Sequence, residues 1–153
     1  MSTIDSRLAE LGIQIPTLAA PAGAYVPYVV TGNLVFTAGQ LPFSDGALPA
    51  TGKVGAEVDA DAAKDYARTA ALNALAAVQA AIGSLDRVTR VVKLVGFVAS
   101  DPSFSGQPGV INGASEVLGE IFGELGKHAR SAVGVAVLPL DSPVEVELIV
   151  EFA

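Results

Sequence analysis

The sequence predicts a mixed α/β (α+β) domain in which two long helices cover one face of a mixed β-sheet. Apolar residues alternate along the chain between a spacing of two and a spacing of 3.6 residues. Two long segments have the helical spacing, and the last segment has apolar residues at alternate positions. The chain of 153 residues, 51% of them hydrophobic, is sufficient for the core of one such domain.

The first third of the chain predicts a short amphipathic turn followed by a hairpin. The turn covers about residues 5–11 and ends at Gly12. A Pro- and Ala-rich link, "IPTLAAPAGA", follows. The segments "YVV" and "LVFTAG" flank residues 31–33, a pattern typical of a β-hairpin. The next segment, "LPFSDGALPATGKVG", is rich in turn residues and is expected at the surface.

Two long helices are predicted in the rest of the chain. The first runs from about Asp61 to Ile82, with Asp59 or Asp61 as N-cap and Gly83 beyond its end. The second has apolar residues at i, i+3, i+4, i+7, i+8 and i+11, and Gly126 ends the pattern. These residues are Ala114, Val117, Leu118, Ile121, Phe122 and Leu125.

Three strands complete the predicted sheet. The segment "RVTRVVKLVGFVA" is apolar at both odd and even positions, so this strand is expected to be buried on both faces. Two closing strands, about residues 130–138 and 144–152, are separated by "PLDSP". The last strand places Glu145, Glu147 and Glu151 opposite its apolar side chains. Because two helices cover only one sheet face, we expect another subunit to cover the second, which predicts a homo-oligomer.

Composition narrows the classes of function. There are 9 Lys and Arg residues against 16 Asp and Glu residues, and this net charge of -7 repels phosphate backbones, so nucleic acid is an unfavourable partner. The absence of cysteine excludes thiolate chemistry, and the single histidine, His128, excludes a multi-histidine metal site. No apolar run approaches the ~18 residues of a membrane span, and the N-terminus lacks a signal pattern. We therefore expect a cytoplasmic protein without membrane contact.

Arg130 is the first candidate site residue, because a guanidinium stays charged inside a protein and its planar fork matches a carboxylate. The small residues Ala129, Ala132 and Gly134 leave room around it. An ion pair at a strand end or an interface is the alternative. Glu145 is its expected counterpart, because neighbouring antiparallel strands lie ~4.8 Å apart and can bring both residues to one site. The alternative for Glu145 is a solvated position on an edge strand.

Three further polar residues are candidates. The phenol of Tyr25 either binds a ligand or belongs to the core or an interface. Asn112 either caps a helix or bonds a ligand. His128 is either a titratable site residue or a partner for the dipole at a helix C-terminus. The segment "GQLPFSDG" has no phosphate-loop spacing.

Three motifs carry a family resemblance: "GNLVFTAGQLP", the helix "INGASEVL", and "ARSAVGVAVLP" followed by "VEVE". In this order they resemble the RidA (YjgF/YER) family, also labelled endoribonuclease L-PSP. The resemblance covers about Tyr25 to Phe152, so we predict an N-terminal extension at residues 1–24 and a RidA-like domain at residues 25–153. It implies a chorismate-mutase-like fold, a homotrimer with a pocket at each subunit interface, and neither metal nor organic cofactor.

The resemblance also implies an activity. In the deaminase branch of that family, reactive enamine and imine intermediates of amino acid metabolism are hydrolysed to 2-oxo acids and ammonia. By that resemblance Arg130 clamps the carboxylate of a small 2-imino acid, and Glu145 orients or activates the attacking water. The residues that match other pocket positions of the family are Tyr25, Gly39, Gln40 and Asn112.

Three departures from the family pattern leave an alternative open. Ala38 stands where the deaminase branch usually has serine, Ala132 where it often has cysteine, and His128 where it usually has proline. The more apolar pocket favours, as the alternative, a trimeric module that binds small carboxylates without turnover. The acidic balance and the single histidine disfavour the ribonuclease activity of the family label.

Overall fold

The protein forms a five-stranded mixed sheet, as described for residues 3–21 and 23–153 by a computed structural model. The strands are β1 (Tyr28–Thr31), β2 (Leu34–Thr37), β3 (Val88–Ala99), β4 (Ala129–Val135) and β5 (Val144–Phe152). They lie in the order β1-β2-β5-β3-β4, and only the β3/β4 pair is parallel. The predicted hairpin is confirmed, because β1 and β2 are joined by Gly32 and Asn33.

Three α-helices and three short 3₁₀ turns complete the fold. The helices are α1 (Ile4–Leu11), α2 (Ala60–Ile82) and α3 (Gln107–Phe122), and the 3₁₀ turns are Leu85–Arg87, Gly123–Gly126 and Pro139–Asp141. The ends of α2 agree with the prediction: the Asp59 side chain accepts a hydrogen bond from the Ala62 amide, and Gly83 follows the last turn. The mixed sheet with its two long helices confirms the predicted fold class.

The second long helix ends earlier than its apolar spacing predicts. The prediction extended the pattern to Leu125, whereas α3 stops at Phe122 and continues as a 3₁₀ turn. The physical reason is Gly123, whose φ of 60° leaves the right-handed helical region. Leu125 is consequently exposed rather than buried with the other apolar side chains of the helix.

Helices α2 and α3 pack closely on one sheet face because small residues lie at the contacts. A Cβ at Gly113 would lie 2.0 Å from the carbonyl oxygen of Lys64, so the two helix backbones touch there. A Cβ at Gly96 of β3 would lie 2.5 Å from the Ile111 side chain of α3. The face of β5 that meets the helices is fully apolar, with Val144, Val146, Leu148 and Val150 buried.

The opposite sheet face is uncovered within one chain. Glu145 and Glu147 of β5 and Phe97 of β3 lie on it, each only partly buried. Val29 is 54% exposed and Val133 is 44% exposed. The strand β3 is thus apolar on both faces, as predicted, but the chain itself buries only the helix side. We call this uncovered surface the open sheet face.

Helix α1 is docked on the rest of the domain. The Nε of Arg7 donates to the carbonyl of Glu120 in α3 at 2.8 Å, and the amide of Ile4 donates to Asp86 at 2.6 Å. Leu8 is buried in the core. Residues 1, 2 and 22 of the predicted extension lie outside the described residues, and the division at residue 24 stays a prediction. Among the residues that the structure describes, no helix is both long enough and apolar enough to cross a membrane.

Candidate functional site

Arg130 lies on the helix side of the edge strand β4 and points to α3. It is paired with Leu94, which is buried under the helices. Its Nη1 donates to Ser115 Oγ at 3.1 Å, and its Nη2 donates to the carbonyl of Pro108 at 3.2 Å. Among the described residues no carboxylate forms an ion pair with it. The guanidinium is therefore oriented by neutral groups and keeps its charge available for a ligand.

The Arg130 pocket is open to solvent and has a volume of about 520 Å³. Its lining consists of Asn112, Ser115, Gly119, Gly126, Lys127, His128 and Arg130. None of these side chains is a carboxylate and two carry a fixed positive charge, in a chain whose net charge is -7. Such a local reversal of charge favours a small anion.

Asn112 lines this pocket but does not cap the helix. Helix α3 begins at Gln107, preceded by Gly106, so Asn112 lies in its second turn and the capping alternative is wrong. Asn112, Ser115 and Gly119 follow each other at i, i+3 and i+7, which places them on one stripe of α3. The sequence prediction missed Ser115, although this stripe of small and polar residues beside the apolar one was a readable signal.

His128 joins the same pocket through two hydrogen bonds. Its Nδ1 lies 2.6 Å from the carbonyl oxygen of Gly126, and its Nε2 lies 2.9 Å from Ser115 Oγ. Ser115 therefore links the imidazole of His128 to the guanidinium of Arg130. The imidazole ring thus links the 3₁₀ turn to α3. This role goes beyond that of a partner for a helix dipole, which the sequence suggested as one alternative.

Glu145 belongs to a second polar region, on the open sheet face. A Cβ at Gly39 would lie 2.8 Å from Glu145 Cδ, so the glycine makes room for this side chain. Gln40 exchanges backbone hydrogen bonds of 2.8 and 3.0 Å with Val146, which holds the segment against β5. Partial burial, and then the negative charge of Glu147, raise the pKa of the Glu145 carboxyl above its ordinary range.

The expectation that neighbouring strands bring Arg130 and Glu145 together is wrong for a single chain. Strand β3 lies between β4 and β5, with Arg130 opposite Leu94 and Glu145 opposite Phe97. Two strand spacings and three residues along the strand separate their backbones by about 14 Å. Leu94 faces the helices and Phe97 the open sheet face, so the two side chains also leave the sheet on opposite sides.

The remaining predicted residues lie near the Arg130 pocket, near Glu145 on the open sheet face, or apart from both. Tyr25 is 52% exposed and precedes β1, the edge strand opposite to β4. Ala132 lies beside Gly96, on the same sheet face as Arg130. Ala38 precedes Gly39, and its amide donates to Pro27 at 2.9 Å. One chain thus unites Asn112 with Arg130, and Gly39 and Gln40 with Glu145, but leaves Tyr25 apart from both.

No metal centre is present in the described part of the chain, since no three His, Asp or Glu side chains there are grouped as metal ligands. The fold and the two polar regions define a small α+β protein with a cationic pocket at one sheet edge and a carboxylate pair on its open face. A family described as "YjgF/chorismate_mutase-like, putative endoribonuclease" matches residues 5–152. The chain belongs to this family, which confirms the resemblance.

Several individual proteins are similar to this chain. Protein TCP17 of Trypanosoma cruzi is 48% identical over 97% of this chain and 93% of its own length. The crystal structure of Atu1372 from Agrobacterium tumefaciens, a protein of unknown function, is 47% identical with a TM-score of 0.91, covering 98% and 92% of the two chains. E. coli TdcF, crystallised with bound serine, is 28% identical with a TM-score of 0.67, covering 89% and 94%.

Proposed function

We propose that the protein hydrolyses small 2-imino acids, and the enamines that give rise to them, to 2-oxo acids and ammonia. The observation that carries this proposal is the Arg130 guanidinium, which has no carboxylate partner among the described residues and opens into a pocket free of acidic side chains. The bound serine of E. coli TdcF supports a ligand of the amino acid type. A 2-imino acid has the same carboxylate and a nitrogen on the adjacent carbon.

The site is proposed to form between the subunits of a homotrimer. Arg130 and Glu145 leave one sheet on opposite sides, so they can serve one substrate only if different copies contribute them. The exposed apolar side chains Val29, Phe36 and Val133 support an interface on the open sheet face. In this arrangement one copy supplies Arg130 and Asn112, and its neighbour supplies Gly39, Gln40 and Glu145. Tyr25 is assigned to the same shared pocket.

The proposed chemistry needs few groups. A C=N carbon next to a carboxylate is electrophilic, so fixing it beside a water molecule supplies much of the rate enhancement. Arg130 holds the carboxylate, and Glu145 accepts a proton from the water as it adds to that carbon. The raised pKa of Glu145 improves its match to this task, because a general base works best when its pKa approaches the working pH.

A second candidate function is carboxylate binding without turnover. Ala132 lies on the face of the sheet that carries Arg130, and Ala38 adjoins Gly39, so neither position offers a polar group to a reacting substrate. The ribonuclease activity in the family description has less support, because the single histidine and the net charge of -7 suit neither acid–base pairs nor a phosphate backbone.

Release of ammonia and of 2-oxo acid from freshly generated 2-imino acids tests the proposal. We expect the wild type to accelerate hydrolysis of short 2-imino acids, and Arg130→Ala to abolish the acceleration. Arg90→Ala removes an exposed positive charge of β3 and serves as the matched control. Saturable carboxylate binding with hydrolysis no faster than in buffer would replace the proposal by the second candidate.

A further inference from the structure

We propose that Ser115 and His128 form a proton relay that delivers a proton to the substrate nitrogen in the Arg130 pocket. The inference rests on the proposed deaminase function and deepens it. Hydrolysis of a C=N bond needs a base for the water and an acid for the departing nitrogen. Glu145 is assigned the first task, and the second task needs another group. Ser115 would be the catalytic residue, and His128 the positioning residue that acts through it.

The hydrogen bonds fix how the protons are arranged. A carbonyl oxygen only accepts, so the 2.6 Å contact with Gly126 places a hydrogen on His128 Nδ1. In the neutral ring, Nε2 then has a free lone pair and accepts the hydroxyl hydrogen of Ser115 at 2.9 Å. Ser115 Oγ in turn accepts from Arg130 Nη1 at 3.1 Å. Each donor therefore has one acceptor in the chain Arg130–Ser115–His128–Gly126.

Protonation of His128 reverses the hydrogen bond between His128 and Ser115. Both ring nitrogens then donate, and Ser115 Oγ accepts from His128 as well as from Arg130. The hydroxyl hydrogen of Ser115 is released from the ring and can point into the pocket. Because Arg130 holds the substrate carboxylate beside Ser115, the nitrogen on the adjacent carbon lies within reach of this hydrogen.

The charged side chains around His128 are two cations of the pocket and three carboxylates of the adjoining elements. Lys127 and Arg130 are the charged residues that line the pocket with it. Each of these carboxylates has a cationic partner, and the partner of Glu124 is Lys127 of the pocket itself. These ion pairs are Glu124 with Lys127 at 3.0 Å, Glu116 with Lys64 at 3.2 Å, and Glu120 with Arg68 at 3.2 Å.

The proposed step balances in atoms and protons. Water adds to the C=N carbon, and one of its protons passes to Glu145. The nitrogen receives the Ser115 proton, and His128 Nε2 returns a proton to Ser115 Oγ, which gives a carbinolamine with a hydroxyl and an amino group on one carbon. After His128 takes a new proton from solvent, the relay delivers a second proton to this nitrogen. The C–N bond then breaks with its electron pair on nitrogen, which leaves as ammonia, while the hydroxyl oxygen gives its proton to solvent and becomes the carbonyl. The net reaction is imine plus water to 2-oxo acid plus ammonia, and both residues recover through solvent.

The variant His128→Gln distinguishes a proton relay from a purely structural role of His128. The glutamine amide oxygen can still accept the Ser115 hydroxyl, but the amide cannot hold a transferable proton. We expect kcat to fall about 100-fold with KM within about threefold of the wild type, since general acids contribute 10² to 10⁴ in rate. The relay also predicts that wild-type kcat falls towards alkaline pH, and this fall should be absent in His128→Gln. Ser115→Ala should lose a similar factor in kcat, whereas Ser105→Ala, which changes an exposed serine before α3, should lose none.

A second measurement does not depend on turnover. His128 is the single histidine of the chain, so the NMR spectrum of isotope-labelled protein contains one set of side-chain imidazole signals for it. Nitrogen shifts should report hydrogen on Nδ1 in the neutral ring, and pyruvate should shift the signals saturably in the wild type but not in Arg130→Ala. Those shifts in a protein that hydrolyses no imine would reject the proposed function and retain the relay geometry. A ring with hydrogen on Nε2 that ignores pyruvate, or wild-type kcat and pH profile in His128→Gln, would overturn the relay.

Discussion

Arg130 and Glu145 extend from opposite faces of one sheet, with β3 between the strands that carry them. A single chain therefore has a cationic pocket beside α3 and, separately, a carboxylate pair on the open sheet face. Each region lacks a group that the other supplies. The proposed interfacial site follows from this separation, because a neighbouring copy is the simplest source of the missing group.

Two replacements of Arg130 should weaken carboxylate binding to different extents. Arg130→Lys keeps a positive charge but loses the planar fork, and Arg130→Ala loses both. Since a hydrogen bond to a charged group contributes about 1.5–3 kcal/mol, we expect pyruvate to bind about 10-fold more weakly to the lysine variant and about 100-fold more weakly to the alanine variant. Isothermal titration calorimetry measures both. Wild-type affinity in Arg130→Ala would place the carboxylate elsewhere.

Replacement of Glu145 should change how stability depends on pH. Because burial raises the pKa of Glu145 in the folded chain, its protonated form stabilises the fold, and this contribution is lost as pH rises through the folded-state pKa. Glu145→Gln imitates the protonated form at every pH. We expect its free energy of unfolding in urea to exceed that of the wild type by a margin that widens as the pH rises above the ordinary range of a glutamate carboxyl.

Glu57→Gln is the matched control for this pH series, because Glu57 is exposed and belongs to the turn segment before α2 rather than to the sheet. The comparison is made at equal protein concentration, since the proposed trimer would make stability depend on concentration. If the margin of Glu145→Gln stays constant or narrows with rising pH, ionisation of Glu145 does not destabilise the fold.

Two glycines of the same helix should respond oppositely to alanine. A Cβ at Gly113 would meet the carbonyl of Lys64 at 2.0 Å, so Gly113→Ala must separate α2 from α3 and should cost about 1–3 kcal/mol or more. At Gly119 an added Cβ would have no atom within 4 Å, so Gly119→Ala should stabilise the helix by about 0.5–1 kcal/mol. Urea denaturation measures both, and equal effects would contradict the close contact at Gly113.

Local features of the fold were predictable because neighbouring residues determine them. The Asp59 cap and Gly83 stop of α2 follow from unpaired backbone groups at helix ends. The alternation of β5 follows from the two faces of a strand. Both signals are complete within a few residues of sequence, and the structure has both.

The order of the strands was one part of the fold that the sequence prediction missed. The short "PLDSP" link suggested that β4 and β5 are neighbours, but β3, α3 and β4 form a parallel crossover unit, which places β4 directly beside β3. The other edge of β3 then pairs with β5. The bond between Ser115 and His128 was missed for a similar reason, because His128 comes thirteen residues later and reaches Ser115 only through the 3₁₀ turn.

Mixing two inactive variants tests the central claim that the site is shared between subunits. Arg130→Ala and Glu145→Gln are each expected to be inactive, and coexpression at equal amounts should form mixed trimers in which one site of three has both groups. Random assembly then predicts about a quarter of wild-type imine hydrolysis. Activity that stays at the level of the separate variants, in mixed trimers verified by two affinity tags, would contradict a site built from Arg130 of one copy and Glu145 of the next.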